Sequence, residues 1–165
     1  MNRLILNVLL LFSIGSFAQK TPAFVDFYAK VGNKTAKTVN LKSHPKANEF
    51  RTNLKNGLAK SQINFGGKYI LTQWGCGTAC IQAALIDAQT GDVYFPEILQ
   101  GVIQGYNEAF EKHGMLEFKK NSTLLIIYGA TGNDLKNESE EFIQGTSYYE
   151  WSGQEFKLLK FTPIN

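Results

Sequence analysis

The side chains best suited to chemistry are few. The chain of 165 residues holds two cysteines, Cys76 and Cys80, and two histidines, His44 and His113. Redox dithiols of the thioredoxin type use Cys-x-x-Cys at a helix N-terminus, where the dipole lowers a thiol pKa. Here three residues separate the cysteines and Gly75 and Gly77 flank Cys76, which suits a disulfide across a tight turn. A zinc site needs about four ligands, and neither histidine stands at ligand spacing from a cysteine. A cysteine nucleophile needs a free thiolate beside a base, and pairing removes it. No serine stands in a Gly-x-Ser-x-Gly elbow. Lys68, Tyr69 and Asp87 could converge into a small polar site, although Asp87 ahead of Thr90-Gly91 also suits a turn that satisfies backbone donors. Glu138-Ser139-Glu140-Glu141 lacks the glycine and ligand periodicity of a calcium loop. The expectation is therefore no catalytic set, no metal site and no cofactor.

Aromatic residues are the richer resource. Trp74, Tyr69, Tyr94, Tyr148, Tyr149 and Trp151 fall in segments that read as strands. Successive strand side chains face opposite sides, so Tyr148 and Tyr149 cannot both point inward. Cross-strand packing accounts for one set. The other reading exposes Tyr149 and Trp151 as contacts for a sugar, a peptide or a protein. Trp74, Gly75, Gly77 and Thr78 join them as residues of a rigid presented turn.

These residues need a frame. Met1-Asn2-Arg3 is a short positive head, Leu4–Ile14 is almost wholly apolar, and Ser16-Phe17-Ala18 puts small residues at −3 and −1 before Gln19. That is the pattern of a secretory signal peptide over residues 1–18. An apolar run of eleven residues is short of the roughly twenty a membrane span requires, so no stable anchor is expected after cleavage. Residues 19–165 would form one α+β domain carrying a net charge of +2. Export places it in the periplasm or outside the cell, where paired cysteines oxidise. The small net charge hides an asymmetry. Lys20 to Lys60 holds nine Lys or Arg against two acids, and the remainder holds seven Lys against twelve acids. The two halves could mix in space, or a basic face could meet an acidic partner. Without an arginine-rich or aromatic-interleaved stripe, nucleic acid is not an expected partner.

Periodicity then places the elements. Phe24–Val31 reads as a first strand. Lys46–Lys60 reads as an amphipathic helix, with Ala47, Phe50, Leu54 and Leu58 on one face and Pro45 at its first position. From Lys68 the period switches to two. Lys68–Trp74 and Cys80–Ala88 flank a Gly-rich turn, and Val93–Phe95 follows a second turn at Gln89–Asp92. Glu97–Gly114 reads as part helix and part loop, from an i+4 spacing of Ile98, Val102, Tyr106 and Phe110. Leu116–Phe118 is a short strand and Leu124–Tyr128 a central one. Thr131–Gly145 is an acidic loop. Ser147–Trp151 and Glu155–Phe161 form a hairpin around Gly153. The sum is an α+β fold: an antiparallel meander of about six to eight strands, curled toward a barrel, with one helix near the mature N-terminus.

Five segments carry a resemblance to small exported bacterial proteins of uncharacterised function. They are Phe50-Arg51-Thr52-x-Leu54; Asn64-Phe65-x-Gly67-x-Tyr69; Trp74-Gly75-Cys76-Gly77-x-x-Cys80; Asp87-x-x-Thr90-Gly91-x-Val93-Tyr94 with Pro96; and Ser122-x-Leu124-Leu125 followed by Tyr148-Tyr149-x-Trp151-x-Gly153-x-x-Phe156. The family often has His at the position of Lys68. The resemblance implies export and a mainly β domain, and it brings no activity. Three functional expectations follow. The first is a non-enzymatic module that contacts a protein or cell-envelope ligand through the Cys76–Cys80 hairpin and exposed aromatics. The second is a periplasmic inhibitor of a cell-wall hydrolase or other enzyme. The third is a small envelope enzyme built around Lys68, Tyr69 and Asp87.

Overall fold

A computed structural model describes residues 20–105, 108–131 and 143–164. The segment read as a signal peptide and most of the acidic loop, including Glu138, Glu140 and Glu141, lie outside the described residues, as does Tyr106. The strands are β1 (Tyr69–Gly77), β2 (Cys80–Asp87), β3 (Val93–Tyr94), β4 (Gln100–Gln104), β5 (Leu116–Phe118), β6 (Leu124–Ala130), β7 (Gly145–Trp151) and β8 (Phe156–Pro163). They form one eight-stranded antiparallel sheet in the order β1-β2-β4-β6-β7-β8, with β3 paired to β2 and β5 to β6. No ladder joins β1 to β8, so the sheet stays open and does not close into a barrel.

Alternation sorts each strand's side chains between two faces. One face carries Leu71, Ala83, Leu85, Val102, Leu125, Ile127, Tyr149 and Trp151 into a cluster shared across the whole sheet. The opposite face is covered in two places. Helix α1 (Arg51–Lys60) sets Leu54 and Leu58 against Ile70, Ala84 and Ile86. At the other end, Phe24, Phe27 and Phe110, the last from α2 (Glu108–His113), pack on Leu124, Ile126 and Tyr128. Strand β6 is buried along its entire length because both faces are covered, which is what its unbroken apolar run requires.

Three segments depart from the sequence reading. Phe24–Val31 is not a strand: Phe24–Phe27 form a 3-10 turn, and Tyr28 makes a single bridge to Ser122. The spacing of three between Phe24 and Phe27 puts both rings on one side of that turn, against the sheet. The N-terminal helix is shorter than expected. Pro45–Ala47 form a separate 3-10 turn, capped by His44 Nδ1, which accepts the Lys46 N–H at 3.2 Å, and α1 begins only at Arg51. In Glu97–Gly114 the i+4 spacing hides a strand. Gln100–Gln104 pair with both β2 and β6, and tertiary pairing overrides the helical period.

The chain before α1 is laid over the sheet backbone to backbone. Gly32 N–H donates to Gly67 O at 2.8 Å, Asn40 N–H to Gly91 O at 2.8 Å, and Thr35 and Ala36 N–H to Ala88 O at 2.9 and 3.0 Å. Gly67 and Gly91 have φ of +72° and +82°. A Cβ at either would collide with a carbonyl of the crossing segment, Lys30 O or Thr38 O, so both positions require glycine. The outer edge of β1 is partly shut by Asn64. Its side-chain amide accepts the Leu71 N–H at 2.7 Å and donates to Leu71 O at 3.0 Å.

Candidate functional site

The β1–β2 hairpin contains both groups of residues that the sequence singles out, at its two ends. At the distal end, Cys76 and Cys80 form a disulfide with a Cα–Cα distance of 5.2 Å. Gly75, Cys76, Gly77 and Thr78 are all exposed. The turn proper is only Thr78-Ala79, with Ala79 at φ +53°, and a register shift between Gly75 and Gly77 accommodates it. No atom outside the local chain comes within 4 Å of a Cβ built at Gly75 or Gly77. The end is tied from behind, where Cys80 pairs with Ile103 of β4 and Gln104 N–H donates to Ala79 O at 2.9 Å. Trp74, half-buried, is the last residue anchored in the core. Its ring lies 5.0 Å from Phe50, and its Nε1–H donates to Gln82 Oε1 at 3.2 Å.

At the proximal end, Lys68, Tyr69 and Asp87 do come together. Lys68 Nζ lies 2.8 Å from Asp87 Oδ2 and 5.6 Å from the Tyr69 ring centroid. Asp87 is 2% exposed. Its other oxygen, Oδ1, accepts the Gln89 and Thr90 N–H at 2.8 and 3.2 Å. Both carboxylate oxygens are thus engaged, one by an ammonium and one by the turn. The bond to Asp87 raises the Lys68 pKa above its ordinary value, despite an opposing contribution from burial. A lysine base or Schiff-base nucleophile needs the opposite shift. Burial, then the neighbouring Tyr69 and Asp87, also push the Tyr94 hydroxyl up. Lys68 and Tyr94 therefore hold their protons more firmly than an ordinary lysine and tyrosine. The cluster's chemistry is that of a structural clamp: it fixes the turn that Asn40 and the crossing segment lean on.

Two expected contact residues are in the core. Tyr149 is 8% and Trp151 3% exposed, a correction to the reading that set them on a free face. Trp151 packs edge-to-face against Tyr69 and Tyr94, both at 5.7 Å, and lies 4.8 Å from Phe156. Tyr148 and Tyr149 do face opposite sides of the sheet, but the second face is also covered. Tyr148 lies against the Leu124, Ile126 and Tyr128 cluster. The exposed surface of the candidate site therefore reduces to Gly75, Cys76, Gly77 and Thr78, with half-buried Trp74 behind them. The histidines are dispersed. His44 caps a turn and stacks near Phe95, while His113 stacks on Tyr128 at 5.5 Å with Nδ1 3.3 Å from Glu117. Among the described residues no three His, Cys, Asp or Glu gather as metal ligands.

A groove that the sequence reading did not name lies between residues 34–39 and the last turns of α1. It encloses about 510 Å³ and is lined in part by Lys34, Lys37, Lys55 and Leu58. The charge asymmetry of the chain was the one signal that pointed toward it. Among the described residues, no helix is long and apolar enough to cross a membrane. Comparison with protein-family profiles, with curated proteins and with solved structures finds no match.

Proposed function

We propose that this chain is an exported, non-enzymatic binding protein that presents the Cys76–Cys80 end of its hairpin to a protein or cell-envelope ligand. The observation that carries the reading is the run of four consecutive exposed residues closed by a disulfide, on a hairpin whose other end is buried. Cross-linking lowers the conformational freedom of a contact loop before it binds, and that reduces the ordering cost of association. Open space at Gly75 and Gly77 lets a partner's backbone approach closely. The disulfide also supports export, since such a bridge persists in an oxidising compartment. In that reading Tyr149 and Trp151 hold the hairpin's base in the core and touch no ligand.

The test compares the wild-type chain with Thr78→Arg and Gly75→Arg as bait in an envelope extract. One partner captured by the wild type and lost from both variants is the expected result. Equal capture by all three, or none by the wild type, overturns the reading. N-terminal sequencing of the secreted fraction should begin at Gln19, and an intact Met1 there would refute cleavage after Ala18. Inhibition of a captured hydrolase would resolve the partner into an enzyme target.

A further inference from the structure

Away from the hairpin, three lysines with no ion pair among the described residues meet at the groove between residues 34–39 and α1. Of the nine Lys and Arg from Lys20 to Lys60, only Lys20 makes an ion pair among the described residues, with Asp26. Three of the others meet here. Lys37 and Lys55 are exposed at the rim. Lys34 donates to the backbone carbonyls of Leu58 and Ser61, which ties the crossing segment to the end of α1. An ammonium has three donors, so Lys34 retains one for a further acceptor. The same bonds place its charge against the free carbonyls of the helix C-terminus and offset their negative dipole. Ala36, Val39 and Ala59 supply an apolar wall over buried Leu58, and among the described residues no acid lines the groove.

We propose that this groove binds a small amphiphilic anion, a charged head on a short aliphatic chain. The enclosed volume of about 510 Å³ falls in the roughly 300–1,000 Å³ range of small-molecule pockets. The lysines recognise the head, and the apolar wall takes the chain. A bare inorganic anion would leave the wall wet, and a neutral alcohol would leave the Lys37 and Lys55 ammonium groups without an anion. The wall lies in a groove between a crossing segment and a helix rather than on a flat face, which favours a free molecule over a membrane surface. This site is independent of the hairpin reading.

Decanoate, held below its micelle concentration, is the probe for calorimetric titration of the purified protein. Saturable binding at one site per chain is expected. The affinity should fall about tenfold when octanoate replaces decanoate, since each lost methylene forfeits apolar burial. Raising ionic strength should also weaken it, because the rim charges are exposed. The double variant Lys37→Glu/Lys55→Glu should bind at least about tenfold more weakly with an unchanged melting temperature, since both residues are exposed. Ala59→Asp, also exposed, is a second variant expected to lose binding. Thr78→Arg, at the hairpin end, should bind decanoate as the wild type does. Four results would each overturn the proposal: decanol binding as tightly as decanoate; inorganic phosphate displacing it at comparable concentration; full affinity in both groove variants; or sedimentation with phosphatidylglycerol vesicles that decanoate does not reverse.

Discussion

The two ends of the β1–β2 hairpin are built from the same two strands and differ in nearly everything else. Along β1 burial runs from Tyr69, Ile70 and Leu71 inside the core to Gly75, Cys76 and Gly77 in solvent, and β2 mirrors it. The proximal end is held by side chains: a buried carboxylate with both oxygens engaged, and aromatic rings packed edge-to-face. The distal end reaches past the core, and there a covalent bond joins the backbone pairing with β4 in holding it. The difference teaches where each kind of restraint works. Packing fixes a position that burial can reward, whereas a disulfide limits the freedom of a loop that must stay in water.

The contrast can be broken most severely at the buried end. Trp151→Ala removes the ring that Tyr69, Tyr94 and Phe156 share, and it should lower stability by about 3–5 kcal/mol in urea unfolding. A loss under 1 kcal/mol would mean that the proximal end is not the anchor. Asp87→Ala strands the Gln89 and Thr90 N–H and the Lys68 ammonium, with an expected cost of about 2–4 kcal/mol. Lys68→Met leaves the buried Asp87 Oδ2 without its cation but keeps the turn's bonds to Oδ1, so it should cost less than Asp87→Ala, about 1–2 kcal/mol. Equal losses for the two would show that the ion pair, rather than the turn, is what Asp87 contributes.

At the distal end, replacing both cysteines by serine should cost roughly 2 kcal/mol by the chain-entropy estimate for so short a loop. Amide exchange should accelerate at Gly77–Ala79 and leave Ile70 and Ile86 unchanged. Faster exchange across the whole sheet would refute the division between ends. Gly75→Arg should shift stability by no more than about 0.5 kcal/mol while removing partner capture, so stability and binding separate at one residue. The smallest effect expected is at His44, whose pKa is lowered from 6.5 by burial and then by Lys46. Because the unfolded chain binds that proton more readily, stability should decline slightly as pH falls through about 6.5. His44→Asn, which can still cap the turn, should abolish that slope. The Lys68 contribution runs the other way, present at neutral pH and lost only above about 10.5.

Much of the sheet was legible because its signals are local. Gly-bearing turns at Thr90-Gly91 and Gly153 bound strands with clean alternation, and the Cys-x3-Cys spacing implied a bridge across a turn. What the sequence concealed depended on distant partners. Tyr149 and Trp151 looked surplus to one face, yet the other face is covered by α1, α2 and the N-terminal turn, so aromatic residues on either side find cover. The strand within Glu97–Gly114 exists because β2 and β6 flank it, and a helical spacing of four apolar residues carries no trace of that. The basic groove needed the crossing of residues 34–39 over α1, which no period encodes. Its charge was visible in composition, but its shape was not.

The side-chain amide of Asn64 has a consequence for how copies of this protein behave when crowded together. It occupies both hydrogen-bonding groups of Leu71 on the outer edge of β1 as a neighbouring strand would, and among the described residues no such clamp reaches the next outward positions, Gln73 and Gly75. A second molecule that tried to extend the sheet along this edge would have to expel that amide before it could zip past Leu71. Asn64 therefore extends the cover that Phe65 gives Tyr69 one position further along the edge, and it stands in the way of a strand added at Leu71.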